Sequence, residues 1–178
     1  MKVIIINGYA GVGKSTFVEM CEDYGQILEV STIDSVKELA KVIGWEGQKE
    51  PKDRKFLSDF KDLLTRYNDY PFNATISIIK EKLHLEELEG QNIDDQIIFI
   101  HCREPEEIER FKNALSARSL IVRRHGPETV TQINHADNGV FDTVYDYMIF
   151  NDGDLDKLKE SAQTFIEQIQ NEDWESYL

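Results

Sequence analysis

One stretch near the amino terminus constrains the fold of this chain more than any other: VIIIN (Val3–Asn7), followed at once by GYAGVGKST (Gly8–Thr16). A short continuous apolar run is the pattern of a strand covered on both faces. The segment from Gly8 to Ser15 fits G-x-x-x-x-G-K-[ST], a loop that turns from such a strand into a helix. Glycines at these positions let the backbone take positive φ, so that successive N–H groups point inward at phosphate oxygens. The helix that begins near Lys14 adds its positive N-terminal end. Gly8, Gly11, Val12, Gly13, Lys14, Ser15 and Thr16 are therefore expected to hold the phosphates of a nucleotide. Lys14 would supply a full charge to the β and γ phosphates, and Ser15 a hydroxyl to Mg²⁺. With average residue frequencies, a chance match in a chain of this length is on the order of one in a hundred.

The rest of the chain alternates between two periodicities. Phe17, Val18, Cys21 and Tyr24 recur at helical spacing up to Gly25, and QILEV (Gln26–Val30) reads as a second strand. Ser35-x-x-Glu38 has the form of a capping box ahead of Val36, Leu39, Ala40 and Ile43, with Gly44 as terminator. Phe56, Leu57, Phe60, Leu63, Leu64 and Tyr67 mark a longer helix, and Asn73 is placed to cap the next one. IIFIHC (Ile97–Cys102), SLIVRR (Ser119–Arg124) and YDYMIF (Tyr145–Phe150) read as three further strands. Glu104-Pro105 opens one intervening helix, and Leu155, Leu158, Ala162, Phe165, Ile166 and Ile169 form the last. Residues 125 to 141 lack clear periodicity and read as a functional loop. The expected fold is a three-layer α/β domain with a five-stranded parallel sheet, spanning residues 1–178, with ligands at the carboxyl ends of the strands.

Charge narrows the partners. Twenty Lys and Arg against 34 Asp and Glu give a net −14, a field that repels nucleic acid and anionic membrane. A phosphate site must then be built from locally concentrated donors. Two cysteines, Cys21 and Cys102, make no disulfide framework, and buried thiols in a reducing cytoplasm are the simplest expectation. The apolar run after Lys2 is too short for a signal segment, and nothing in the sequence sets an oligomeric state.

A switch GTPase would carry N-K-x-D and D-x-x-G, and neither string occurs. A small phosphotransferase needs fewer parts. An acceptor that is itself a phosphate monoester has a second pKa near about 6, so it is ionised at neutral pH and needs no general base. Catalysis reduces to positioning and charge neutralisation by ATP-bound Mg²⁺, lysine and arginine. The candidates are Lys37 after the second strand, Arg54 and Arg66 on one helix, Arg103 at the end of the third strand, and Arg124 leading into the long loop. Of Arg123 and Arg124, alternation along the strand favours Arg124 as the one that faces the site. His101 stands at a strand end where an acid that helps hold hydrated Mg²⁺ is expected.

With these residues in view, the chain resembles the phage-type deoxynucleoside monophosphate kinases and, more distantly, the P-loop phosphomevalonate kinases. DSVKELAKVIG is similar to the family segment that opens the acceptor region, which implies acceptor binding by Asp34 and Lys37. IHCREPEEIERF resembles a strand ending in Asp-Thr-Arg, its arginine falling on Arg103 and its aspartate replaced by His101. The segment from NHADNGVF to DKLKESAQTFI is similar to the family's lid exit, final strand and last helix. That resemblance implies that Asn151 and Gly153 lie beside the adenine of ATP, that residues 31 to about 90 form the acceptor side, and that residues 124–141 form the lid. The expected activity is transfer of the γ-phosphoryl group of ATP to a small phosphorylated acceptor, most simply a (deoxy)nucleoside monophosphate. The alternatives are a non-nucleotide acceptor such as phosphomevalonate, or nucleotide binding without catalysis.

Overall fold

The apolar run ahead of the glycine loop becomes the central strand of the sheet. A computed structural model describes residues 1–48, 50–125 and 144–178. Five strands, β1 (Lys2–Asn7), β2 (Ile27–Ser31), β3 (Ile97–His101), β4 (Arg118–Arg123) and β5 (Tyr147–Phe150), form one sheet in the order β2-β3-β1-β4-β5. β1 runs parallel to β3 and β4, with Ile6 opposite His101 and Leu120, and β4 runs parallel to β5. Flanked on both sides, β1 keeps Val3, Ile4, Ile5 and Ile6 fully buried, as its unbroken hydrophobicity requires. The helices are α1 (Lys14–Cys21), α2 (Asp34–Val42), α3 (Pro51–Asn68), α4 (Tyr70–Leu88), α5 (Pro105–Leu115) and α6 (Leu155–Asn171). The α/β class and the five-stranded parallel sheet expected from the sequence are those observed.

The described chain divides into two compact units, Met1–Glu29 with Asn92–Leu178, and Val30–Gln91. In the first, α1 and α6 pack together, and Phe17, Val18, Phe165 and Ile166 join Ile4, Ile6, Ile97, Phe99, Leu120 and Val122 in one buried cluster. Alternation sends Ile5 and Ile121 to the opposite face, and α5 packs against β1 and β4. Burial pushes the Cys21 thiol up to about 12, so it stays protonated and inert at neutral pH. The carboxyl-terminal tail is tied to the strand starts. Ser176 Oγ accepts from Val3 N at 2.9 Å, and Tyr177 N donates to Leu115 O at 2.9 Å. Arg118 lies over the Trp174 ring and donates to Glu172 and to the Tyr147 hydroxyl.

The second unit is the helical set α2, α3 and α4, packed on one another. Two expected caps are not formed there. α2 begins at Asp34, with Ile33 as N-cap, so Ser35 lies inside the helix with its hydroxyl buried and without a partner. The N-cap position gives α2 no side-chain cap, and the carboxylate of its first residue, Asp34, instead accepts from Ser31 N at 3.0 Å, ahead of the helix. Asn73 likewise lies inside α4. The break from α3 is the single residue Asp69 at φ 58, with Pro71 in the first turn that follows. No described helix is long and apolar enough to cross a membrane.

Candidate functional site

The glycine loop is shaped by contacts at both of its ends. Gly8, Gly11 and Gly13 stand at φ 141, 81 and 95, in the region where only glycine is relaxed. A Cβ on Gly8 would lie 2.4 Å from Val122 O, and one on Gly13 would lie 2.4 Å from Asn151 Nδ2. The second approach is used: Asn151 Nδ2 donates to Val12 O at 2.9 Å, and Asn151 N donates to Arg123 O at 2.7 Å. Asn151, 9% exposed, thus clamps the loop to the ends of β4 and β5. On the other side, Asn7 Oδ1 accepts from Gly8 N at 2.7 Å, while its Nδ2 donates to the Tyr145 hydroxyl and to Arg103 O.

Within this frame, Gly13 is the N-cap of α1 and Lys14 its first residue. The first-turn N–H groups have no helix carbonyl to reach, so Lys14, Ser15 and Thr16 present backbone donors. Lys14 Nζ lies over the loop, donating to Gly8 O at 2.6 Å and Tyr9 O at 2.8 Å. Ser15 is exposed and Thr16 half-buried. Donors, a full positive charge and the positive end of a helix are therefore gathered at the carboxyl end of β1. That set suits a polyphosphate, and the exposed Ser15 hydroxyl is a hard oxygen of the kind Mg²⁺ takes.

The arginines expected around the loop are distributed as follows. Arg103 follows β3 directly, half-buried, its carbonyl held by Asn7. Arg123, the last residue of β4, lies with its guanidinium 6.0 Å from the Phe150 ring centroid. Arg124 is exposed beside Asp152 and lowers that carboxyl's pKa, though less than His125 does. The remainder of the expected lid, 126–141, lies outside the described residues.

In the second unit, Asp34 Oδ1 pairs with Lys37 Nζ at 3.1 Å. Arg54 and Arg66 are both exposed on α3. At about 3.6 residues per turn, their separation turns one about a third of a revolution from the other, so a shared ligand has to bridge that angle.

Sequence reasoning missed three features of the first unit. One is the Asn7–Tyr145 bridge; a fully buried asparagine ending an apolar strand was its only signal. A second is a cluster at the end of β5. The His125 ring stacks on Phe150 at 4.9 Å and 11°, and His125 N and Nδ1 both lie 2.5 Å from the Asp152 carboxylate. Those contacts from His125 hold the Asp152 carboxyl below its usual range. Beside it an open cavity of about 770 Å³ is lined by Met148, Phe150, Asp152, Gly153, Lys157 and Phe165, among others. The third is Glu29, whose Oε1 lies 2.6 Å from His101 Nε2.

No protein-family model and no curated protein matches this chain. Among solved structures, it is similar to a sugar kinase from Janibacter sp. HTCC2649, at 12% identity and TM-score 0.49, covering 94% of this chain and 95% of that one. The shikimate kinase of Aquifex aeolicus aligns at 10% identity and TM-score 0.46, over 95% and 98% of the two chains. A gluconokinase from Sinorhizobium meliloti 1021 aligns at 14% and 0.44, over 94% and 93%.

Proposed function

We propose that this chain is an ATP-dependent phosphotransferase that moves the γ-phosphoryl group to a small phosphorylated acceptor, most simply a (deoxy)nucleoside monophosphate. The observation that carries the reading is the glycine loop: three positive-φ glycines, Lys14 drawn over them, and Asn151 clamped onto Val12. A loop so constrained is organised before the ligand arrives, which is what electrostatic stabilisation of a transferring phosphoryl group requires. The base of ATP is assigned to the end of β5, where Asn151 and Gly153 follow Phe150, whose ring stacks on that of His125. The acceptor side is assigned to the unit Val30–Gln91, with Asp34, Lys37, Arg54 and Arg66, and to Arg103.

In the reaction, an oxygen of the acceptor phosphate forms a bond to the γ-phosphorus as the bond to the β–γ bridging oxygen breaks, and ADP leaves. The acceptor oxygen is already ionised, so no proton is transferred. Lys14 neutralises charge growing on the β–γ bridge and the γ-oxygens. Arg103 and Arg124 are assigned to the equatorial oxygens and the acceptor phosphate. Mg²⁺, bound with the nucleotide and taken by the Ser15 hydroxyl, would add charge neutralisation across the β and γ phosphates.

The test is ADP production from ATP with a panel of acceptors: nucleoside monophosphates, non-nucleotide phosphate monoesters, and alcohols without phosphate. Turnover is expected with members of the first class and abolished in Lys14→Ala. Turnover only with alcohols, or none with any acceptor while ATP binds normally, contradicts the proposal.

A further inference from the structure

The apolar run of β1 ends in a buried polar side chain. Asn7 is fully buried, between Ile6 and the first glycine of the phosphate loop. β1 and β3 stay in register as far as Ile6 and His101, and Cys102 N then donates to Ile6 O at 3.2 Å. Beyond that point the two chains part. β1 turns into the loop, and β3 passes through Arg103 towards α5. The Asn7 backbone is in register with Ile121 of β4, on the other side of β1, so it is the Asn7 side chain that reaches the β3 side.

That amide is used at both ends. Its Oδ1 accepts from Gly8 N at 2.7 Å, and its Nδ2 donates to Arg103 O at 3.2 Å and to the Tyr145 hydroxyl at 2.8 Å. The ends are not interchangeable. A backbone N–H only donates and a carbonyl only accepts, so a flipped amide would lose both backbone contacts. An aspartate would have no donor for Arg103 O, and a leucine would satisfy neither group, at the cost of a buried Gly8 N–H left without this partner. The side chain thus ties the first N–H of the loop to the residue that carries the guanidinium.

We propose that Asn7 is a positioning residue that registers Arg103 against the phosphate loop, its amide held from a third side by Tyr145. The inference rests on the assignment of Arg103 to the acceptor phosphate. In-line transfer requires the acceptor oxygen about 3–3.5 Å from the γ-phosphorus. One planar amide sets the spacing of the two backbone points from which the donor and acceptor phosphates are held. Asn7 acts through Gly8 and Arg103, so its loss shifts one phosphate site relative to the other and leaves each site formed.

The experiment compares three equilibrium affinities by calorimetry in Mg²⁺. The ligands are a non-hydrolysable ATP analogue, the nucleoside monophosphate of the acceptor panel that binds most tightly, and a dinucleoside pentaphosphate that joins the two nucleosides through their phosphates. The joined ligand reads the relative position of the two phosphate sites without any chemistry. Asn7→Ser is too short to hold Gly8 N and Arg103 O together, and it is expected to weaken the joined ligand on the order of 10–100-fold. The two separate affinities should change little, because Asn151 still clamps the loop through Val12. Turnover should show the same split, with kcat falling while the KM for ATP holds. Tyr145→Phe keeps the ring and removes one partner of the amide, so a smaller loss in the same direction is expected. It also gives the reading where Asn7→Ser does not fold. Unchanged affinity for the joined ligand in a folded variant overturns the inference, as does a loss no larger than the separate ligands show. If the unsubstituted protein binds the ATP analogue but neither the monophosphate nor the joined ligand, the phosphorylated-acceptor reading is overturned along with the inference.

Discussion

At the scale of single residues, the loop depends on what Gly13 lacks. A methyl group there meets two obstacles: φ of +95 and the Asn151 amide at 2.4 Å. Gly11 has the first but not the second, with nothing within 4 Å of its would-be Cβ. Gly11→Ala is therefore expected to cost about 1 kcal/mol through backbone strain, and Gly13→Ala about 2–3 kcal/mol with loss of nucleotide binding. Adding Asn151→Ala to Gly13→Ala should recover part of that loss. Denaturant melts of the single and double variants check this, and strict additivity would contradict the contact. Asp146 gives a second residue-scale expectation. Burial acts to raise its pKa, but the Ser119 N–H and hydroxyl and the Lys112 ammonium outweigh this and hold the carboxyl below its usual range. Its folded pKa is depressed, so its contribution is present above the unfolded value and is lost as pH falls through the folded one. Asp146→Asn is expected to lower stability by about 1–2 kcal/mol at neutral pH, a figure reduced for its partial exposure. The gap from the unsubstituted protein should close as the medium is acidified below the ordinary aspartate range. Thermal melts across pH measure it; a gap that widens in acid contradicts the assignment. The glycine pattern was legible in the sequence because the motif is local. Asn7, Tyr145 and the Asn151–Val12 bond were not, because each joins residues distant in the chain.

At the scale of elements, the alternation of periodicities placed five strands and their helices correctly, but the helix starts in the second unit diverged. The capping pattern at Ser35 is genuine as a string, yet the helix starts one residue earlier, at Asp34, which puts Ser35 inside its first turn. Ser35 is left with a buried, unpartnered hydroxyl. Asp34→Ala should destabilise by about 1 kcal/mol, while Ser35→Ala should be neutral or slightly stabilising, since it removes an unsatisfied polar group. A larger loss on Ser35→Ala than on Asp34→Ala in denaturant melts would restore the capping box and contradict the observed start. Asn73 failed as a cap for a different reason: a one-residue break at Asp69 suffices between α3 and α4, and helix packing decides its place. The tail after α6 carried no periodic signal, although Ser176 and Trp174 engage the starts of β1 and β4. Polar contacts of a non-periodic tail leave no trace in a hydrophobic pattern.

At the scale of the whole molecule, a chain of net −14 still brings four of its positive side chains to the strand ends beside the loop. Lys14, the first turn of α1, Arg103, Arg123 and Arg124 all belong to the carboxyl ends of β1, β3 and β4 or to the segments that leave them. That concentration makes an anion site possible inside a repulsive field. The residues proposed for the acceptor fall in both units, Arg103 in the first and Asp34, Lys37, Arg54 and Arg66 in the second. The parallel class of the sheet was legible from alternation and unbroken apolar strands, whereas its order, with β1 in the middle, is a long-range property that no local pattern carries. The central claim is that the γ-phosphoryl group goes to an acceptor phosphate. Phosphorus NMR of ATP and Mg²⁺ mixed with the best nucleoside monophosphate tests it directly. The account predicts that the acceptor's monoester signal declines as new diphosphate doublets grow, with ADP in equal amount, and that Lys14→Ala shows neither. Growth of inorganic phosphate alone, or of a new monoester signal on an alcohol acceptor, would contradict it.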